Sequence, residues 1–210
     1  MVSVELLPRA LIMSNSELSA SACTSTADHV IIRAGNCSQS PVQLTPLERS
    51  DGPELFALTH ANREQLRVWL PWVDDILAPE NTQAFVDDAL EQDLAGKQKH
   101  FLLRTNDAII GTISLVNIGQ GQGTVGYWIA PAYQGRGYVT QGVLELKTIA
   151  FDKMGLDCLH LEYLEGNGAS ARVAAKCGFT LDRVTKRDAL LHGRELNRMC
   201  CIARKPAPRP

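Results

Sequence analysis

Residues 127–154 read Y-W-I-A-P-A-Y-Q-G-R-G-Y-V-T-Q-G-V-L-E-L-K-T-I-A-F-D-K-M, and the rest of the chain organises around them. Val125 to Ile129 are mostly β-branched and aromatic and predict a strand that ends at Pro131. Val139, Val143, Leu146, Ala150 and Met154 recur at helical spacing, with Gly155 as the stop. Between the two lies Gln134-Gly135-Arg136-Gly137, where two residues without side chains bare backbone N–H groups just ahead of a helix. A helix start has unpaired donors and a partial positive charge, so strand, glycines and helix in this order predict a phosphate cradle.

Spacing separates the known cradles. A dinucleotide fold wants G-x-G-x-x-G, but Thr140 stands where the third glycine belongs. A P-loop wants G-x-x-x-x-G-K-[ST]; Gly137 and Gly142 have the interval, yet Val143 and Leu144 follow, so no lysine reaches a terminal phosphate. What remains resembles the Q/R-x-x-G-x-G/A pyrophosphate signature of the GNAT N-acetyltransferases. Gln134, Gly135, Arg136 and Gly137 fit it, and Val139 departs from the small residue usual there. The segments A-N-R-E-Q-L-R-V-W-L-P-W, G-Y-W-I-A-P-A-Y-Q-G-R-G-Y and N-G-A-S-A-R-V-A-A-K-C-G-F are similar to the RimJ/RimL branch, which acetylates ribosomal-protein N-termini. This resemblance runs from Val42 to Lys205. It implies an α/β (α+β) GNAT-like fold in a single domain, residues 29–205. About seven strands in a mixed central sheet would be flanked by helices on both faces.

The totals agree with one globular domain: 210 residues, 45% hydrophobic and 21% charged. A formal net charge of −2 argues against direct nucleic-acid binding or an anionic membrane surface. Six cysteines without a C-x-x-C pair read as free thiols of a reducing compartment. No apolar run approaches the ~20 residues that span a bilayer. Leu6 to Met13, interrupted by Arg9, is too short for a secretion signal, so a cytoplasmic location is expected.

Along the chain, residues 1–28 read as a Ser/Ala/Thr-rich extension and 206–210 as a tail. His29 to Arg33 and Val42 to Leu47 predict two short strands in a hairpin. Ser50 to Pro53 starts a helix, Asn62 to Trp72 stays helical until Pro71, and Asn81-Thr82 caps a third that ends at Gly96. Three strands follow over 100–104, 109–117 and 124–129. Beyond the central helix come a strand over 158–164 and a helix from Asn167 to Cys177. Two closing strands then flank Leu191-His192-Gly193.

Acetyl transfer needs a held cofactor, a neutral amine, a donor for the developing oxyanion and a proton for the leaving thiolate. The resemblance implies that acetyl-CoA (coenzyme A) lies along the backbone of Tyr127, Trp128 and Ile129. The amides of Gln134, Gly135, Arg136, Gly137, Tyr138, Val139 and Thr140 would take its pyrophosphate. It further implies that Asn167 helps hold the cofactor and makes Ser170 a candidate general acid; Tyr163, one strand earlier, is the other proton donor in reach. Trp69, Trp72 and Arg67 occupy the segment that borders the substrate cleft in related enzymes. The two glutamates common in Rim-type relatives fall here on Thr124 and Ala189, leaving Asp188, or Glu64 through a water, as candidate bases. An α-amino group has a pKa near about 8, a lysine near about 10.4, so a weak base tilts the acceptor towards an N-terminal α-amine. A small toxic amine, such as an aminoacyl nucleotide or a peptide antibiotic, is the second acceptor class. A silent acyl-CoA-binding module is the third reading. A monomer or homodimer is expected. The five histidines lack metal-ligand spacing, so no metal site is expected.

Overall fold

The computed structural model describes residues 30–31 and 42–207. The expected extension (residues 1–28), the loop of the first hairpin and residues 208–210 of the tail lie outside them.

Eight strands form one sheet in the order β1-β2-β3-β4-β5-β6-β8-β7. They are β1 (Val30–Ile31), β2 (Gln43–Pro46), β3 (Lys99–Thr105), β4 (Ala108–Gly119), β5 (Gln122–Ile129), β6 (Cys158–Leu164), β7 (Thr180–Leu191) and β8 (Arg194–Arg204). The count exceeds the expected seven by one; β1 is two residues long and pairs antiparallel with β2, as the predicted hairpin requires. Every neighbouring pair is antiparallel except β5 with β6. Parallel neighbours need a long crossover, and the helix α4 (Tyr138–Thr148) supplies it.

Two apolar layers sandwich the sheet. On one face α4 and α5 (Gly168–Lys176) pack over Leu103, Ile113, Val125, Tyr127, Ile129, Leu159 and Leu161. On the other, α1 (Gly52–Ala61) and α3 (Pro79–Leu94) cover Leu102, Ile109 and Trp128. The alternation along β5, with Tyr127 and Ile129 on one side and Trp128 on the other, is the period-2 pattern of a strand buried on both faces. Val143 and Leu146 are fully buried, and each contributes roughly 1.5–3 kcal/mol by leaving water. Gly142 lets α4 approach closely: a Cβ there would stand 2.4 Å from Ile113 Cδ1 and 2.8 Å from Leu103 Cδ2.

Three expected elements differ. The helix predicted over 62–72 is only α2 (Arg63–Leu66), followed by a 3-10 turn over Pro71–Asp74. Arg63 explains the break, because its guanidinium donates to the Val73 and Ile76 carbonyls and folds the chain back onto α2. Asn81 is not the cap of α3 but its third residue. Its Oδ1 accepts from the Ala78 amide at 2.9 Å and the Leu77 amide at 3.2 Å, so the helix begins earlier, at Pro79. The central helix keeps α geometry only to Thr148 and widens to a π turn over Ile149–Lys153 before Gly155.

Candidate active site

The parallel ladder between β5 and β6 stops at the Val125–Leu161 rung. Each strand continues for several residues on its outer neighbour: β5 stays paired with β4 to Ile129, and β6 with β8 to Leu164. The sheet therefore opens into a V whose apex is that last rung. Ala130 N donates to Ile110 O, towards β4. Strand alternation then turns the amide and carbonyl of Trp128 the same way and those of Tyr127 and Ile129 into the opening. An extended ligand would find a strand edge there to pair with.

At the end of that edge sits the glycine loop. Gly135 and Gly137 have φ of +76° and +81°, conformations that ordinary side chains resist, and a Cβ at either would meet nothing within 4 Å. The amides of Gly135, Arg136, Gly137, Tyr138, Val139 and Thr140 donate to no group among the described residues. The amide of Gln134 differs from expectation: it is already bonded to the Pro131 carbonyl at 3.1 Å, so this residue can contribute only its exposed side chain. Tyr138 and Val139 turn their side chains into the core and offer backbone alone. Arg136 lies over the Tyr133 ring, 5.7 Å from its centroid.

A groove of about 390 Å³ runs from Gln134, Gly135, Gly137 and Thr140 across to Ala169, Arg172, Val173 and Lys176. The last four share one face of α5, so two cations at i and i+4 face the loop amides. Sequence reasoning passed over Arg172 and Lys176. The available signal was that the buried stripe of α5, Ser170, Val173, Ala174 and Cys177, leaves Arg172 and Lys176 on its flank.

Asn167 caps α5, its Oδ1 accepting from Ser170 N at 3.1 Å. Ser170 is fully buried beside Tyr127, whose phenol is also fully buried. Burial pushes the Tyr127 phenol above its ordinary range, the Ser170 side chain opposing the shift. Tyr163 stands on the same sheet face. Burial and then Cys201 push its phenol up as well. Both phenols therefore stay protonated at neutral pH, and Tyr127, Tyr163 and Ser170 gather proton donors on the α4–α5 side of the V.

The other side is built differently. Trp69 lies against the loop that enters α5, its Cη2 3.6 Å from where a Gly166 Cβ would stand. Trp72 instead lines a small apolar cavity of about 30 Å³ with Leu55, Thr59, Phe85, Thr112 and Trp128. Its Nε1 is buried without a partner among the described residues. Arg67 pairs with Asp74 at 2.9 Å, and its carbonyl is 2.7 Å from His192 Nε2, which ties the tip of the β7–β8 hairpin to the α2 region. Glu64 is exposed on α2 with no ion pair or hydrogen bond among the described residues. Asp188 is not a free base: its Oδ2 accepts from Arg198 Nε at 2.5 Å. Glu162, a residue the sequence did not single out, is the second carboxylate on the same guanidinium, 3.5 Å from Nη1. Burial first, then the charge of Glu162, push the neighbouring Cys200 thiol up.

The comparisons with known proteins agree on the fold. YdaF of Bacillus subtilis (strain 168), whose name assigns it provisionally to ribosomal N-acetylation, is 30% identical over 149 residues, 69% of this chain and 80% of that protein. The structure of RimL, a ribosomal alpha-N-protein acetyltransferase in complex with coenzyme A, superposes with a TM-score of 0.77 at 22% identity, covering 83% of this chain and 98% of that one. The microcin self-immunity acetyltransferase MccE, in complex with acetyl-CoA and AMP, gives a TM-score of 0.74 at 19% identity, over 80% and 94% of the two chains. Residues 42–180 match the family described as the acetyltransferase (GNAT) domain, and this chain belongs to the GNAT acetyltransferases.

Proposed function

We propose that this chain is an acetyl-CoA-dependent N-acetyltransferase whose acceptor is the N-terminal α-amine of a protein or peptide. One observation carries the reading. Six consecutive amides without partners among the described residues, Gly135 to Thr140, open on a groove that holds Arg172 and Lys176, and the unpaired end of β5 leads into that loop. Unpaired N–H groups at a helix start bind an anion well, and two cations beside them suit a pyrophosphate. The free groups of Tyr127 and Ile129 then suit the amide-bearing arm of coenzyme A, which would pair with them as a strand does.

Acetyl-CoA would supply an activated acyl carbon at the apex of the V. The chain's own groups divide the remaining work by sheet face. Ser170, oriented by the N-terminus of α5, and the protonated phenol of Tyr163 are the donors towards a leaving thiolate. A backbone N–H of the free β5 edge is the donor towards the developing oxyanion. Trp69 and the hairpin tip held by His192 border the entrance for the amine. A chain with its two expected carboxylate positions occupied by Thr124 and Ala189 favours an amine of low pKa, and an α-amine at about 8 meets that better than a lysine.

Trp69 beside the cleft supports a second acceptor class, a small amine carrying a planar group that would stack on the ring. Incubating the purified chain with acetyl-CoA and two panels, peptides with free N-termini and amine antibiotics with aminoacyl nucleotides, tests the choice. Acetylated peptides alone support the first reading; acetylated small amines alone replace it with the second.

A further inference from the structure

We propose that Asn197 is a positioning residue for acetyl transfer, tying the β7–β8 hairpin at the acceptor entrance to the loop that starts α5; this rests on the acetyltransferase reading above. Asn197 stands on β8 where the regular pairing stops on both sides. Towards β6 the ladder ends at the Leu164–Arg198 rung. Towards β7, three residues, Lys186 to Asp188, stand against this one, since Thr185 pairs with Arg198 and Ala189 with Leu196. Such a bulge bends its strand and re-aims the side chains beside it. Arg187 takes φ of +50° there, a left-handed conformation that a residue with a side chain keeps only when its surroundings hold it.

One side chain does the holding. Asn197 Oδ1 accepts from the Arg187 amide at 3.0 Å, and Nδ2 donates to Glu165 Oε2 at 2.8 Å. The main-chain carbonyl of Asn197 accepts from the Glu165 amide at 2.9 Å as well. The two side-chain bonds need an acceptor for a backbone N–H and a donor for a carboxylate on one short side chain. Asparagine offers both; aspartate lacks the donor and leucine lacks either.

Each partner leads to a different part of the site. Glu165 precedes Gly166, against which Trp69 lies, and Asn167, whose side chain accepts from Ser170 N at the start of α5. Arg187 precedes Asp188, whose Oδ2 accepts from Arg198 Nε, and the hairpin beyond it runs to His192, 2.7 Å from the Arg67 carbonyl. The hairpin is thus fastened at its tip to the α2 region and at its bulge to the α5 loop. None of these bonds reaches the glycine loop ahead of α4. Releasing the bulge leaves that loop as it is and frees the entrance relative to Ser170. An acceptor would then dock in more than one place, which weakens its productive binding while the cofactor is gripped as before.

The test uses the full chain as wild type, Asn197→Ala, Asn197→Asp and the double variant Asn197→Asp with Glu165→Gln. Coenzyme A affinity is measured by calorimetry, exchange of the Arg187 amide by NMR, and kcat and KM with a peptide bearing a free N-terminus. Asn197→Ala removes both side-chain bonds. Arg187 exchange should quicken roughly tenfold and peptide KM rise about tenfold, with kcat and coenzyme A affinity within about threefold. Asn197→Asp sets two carboxylates against each other and should raise KM by about as much. In the double variant the amide at position 165 donates to the carboxylate at position 197, so KM should return to within about threefold of wild type. A KM unchanged in Asn197→Ala, or raised in Asn197→Asp and not restored by the second substitution, overturns the assignment alone. Equal losses in KM, kcat and coenzyme A affinity would also overturn it, leaving Asn197 a residue of the fold. A wild-type chain that binds no coenzyme A or acetylates no peptide overturns the reading above, and this assignment with it.

Discussion

The glycine loop and the proposed acceptor entrance flank one gap in the sheet, yet they are made from different materials. The loop offers main-chain donors with no acceptor among the described residues, over six consecutive positions from Gly135 to Thr140. The proposed entrance is assembled from side chains of two separate segments. Trp69 and Arg67 follow α2, while Asp188, His192 and Arg198 come from the closing β7–β8 hairpin. Main-chain recognition needs only permissive φ angles, so different sequences can keep it. Side-chain recognition changes with every substitution. On the proposed reading the cofactor half of the site is general, and the acceptor half carries this chain's own specificity.

The sharpest way to break that contrast is to close the loop without touching the entrance. A valine at Gly137 would have to adopt φ near +81°, strained for a β-branched residue, and would push a side chain into the anion site. Coenzyme A affinity by calorimetry should fall at least 100-fold in Gly137→Val, about 2.7 kcal/mol. The thermal midpoint should fall only modestly, because nothing packs against this residue.

Acid should strike the other face first. His100 is buried on the α1–α3 side, where burial lowers its pKa from 6.5 to about 4, the nearby Asp93 opposing the shift. Its neutral ring is held by Gln98 at 2.8 Å. The unfolded chain takes up a proton there below pH 6.5 and the folded chain does not until about pH 4. The stability tied to the neutral ring is thus fully present above pH 6.5 and is lost as pH falls towards 4. At pH 5 the loss should be about 2 kcal/mol. Denaturant titrations at pH 7 and pH 5 check this, and His100→Gln should flatten the difference.

Ser170→Ala separates chemistry from binding. With the Asn167 cap intact, kcat should fall about tenfold to thirtyfold while coenzyme A affinity stays within about threefold. A matching loss of affinity with unchanged turnover of the bound cofactor would make Ser170 a packing residue. The smallest effect belongs to the exposed cations of α5. Arg172→Ala or Lys176→Ala should weaken coenzyme A binding by roughly fivefold each at low salt and by less at 0.5 M salt, because exposed charges are screened.

Much of the cofactor half was legible because its signals are local. Two glycines between a β-branched strand and a helical stripe fix the loop, and Asn167 three residues before Ser170 fixes the cap seen at 3.1 Å. The entrance was not legible in the same way. Glu162 lies in L-H-L-E-Y-L, where alternation alone makes it an ordinary outward residue. Its place 3.5 Å from Arg198 Nη1 follows from the pairing of β6 with β8, which no local signal announces. Asp188 looked available in sequence, and only the fold brings Arg198 from the neighbouring strand to its carboxylate. The short α2 was hidden for a similar reason, since the Arg63 contacts that end it reach carbonyls ten and thirteen residues away.

The most direct measurement follows backbone amide resonances of the isotope-labelled chain as coenzyme A is added. The largest shifts should fall on Gly135, Arg136, Gly137, Tyr138, Val139 and Thr140, with Tyr127 and Ile129 next and Gln134 smaller, its amide being already bonded to Pro131. Saturating coenzyme A that leaves those six amides unmoved, or that moves another surface instead, would contradict the account.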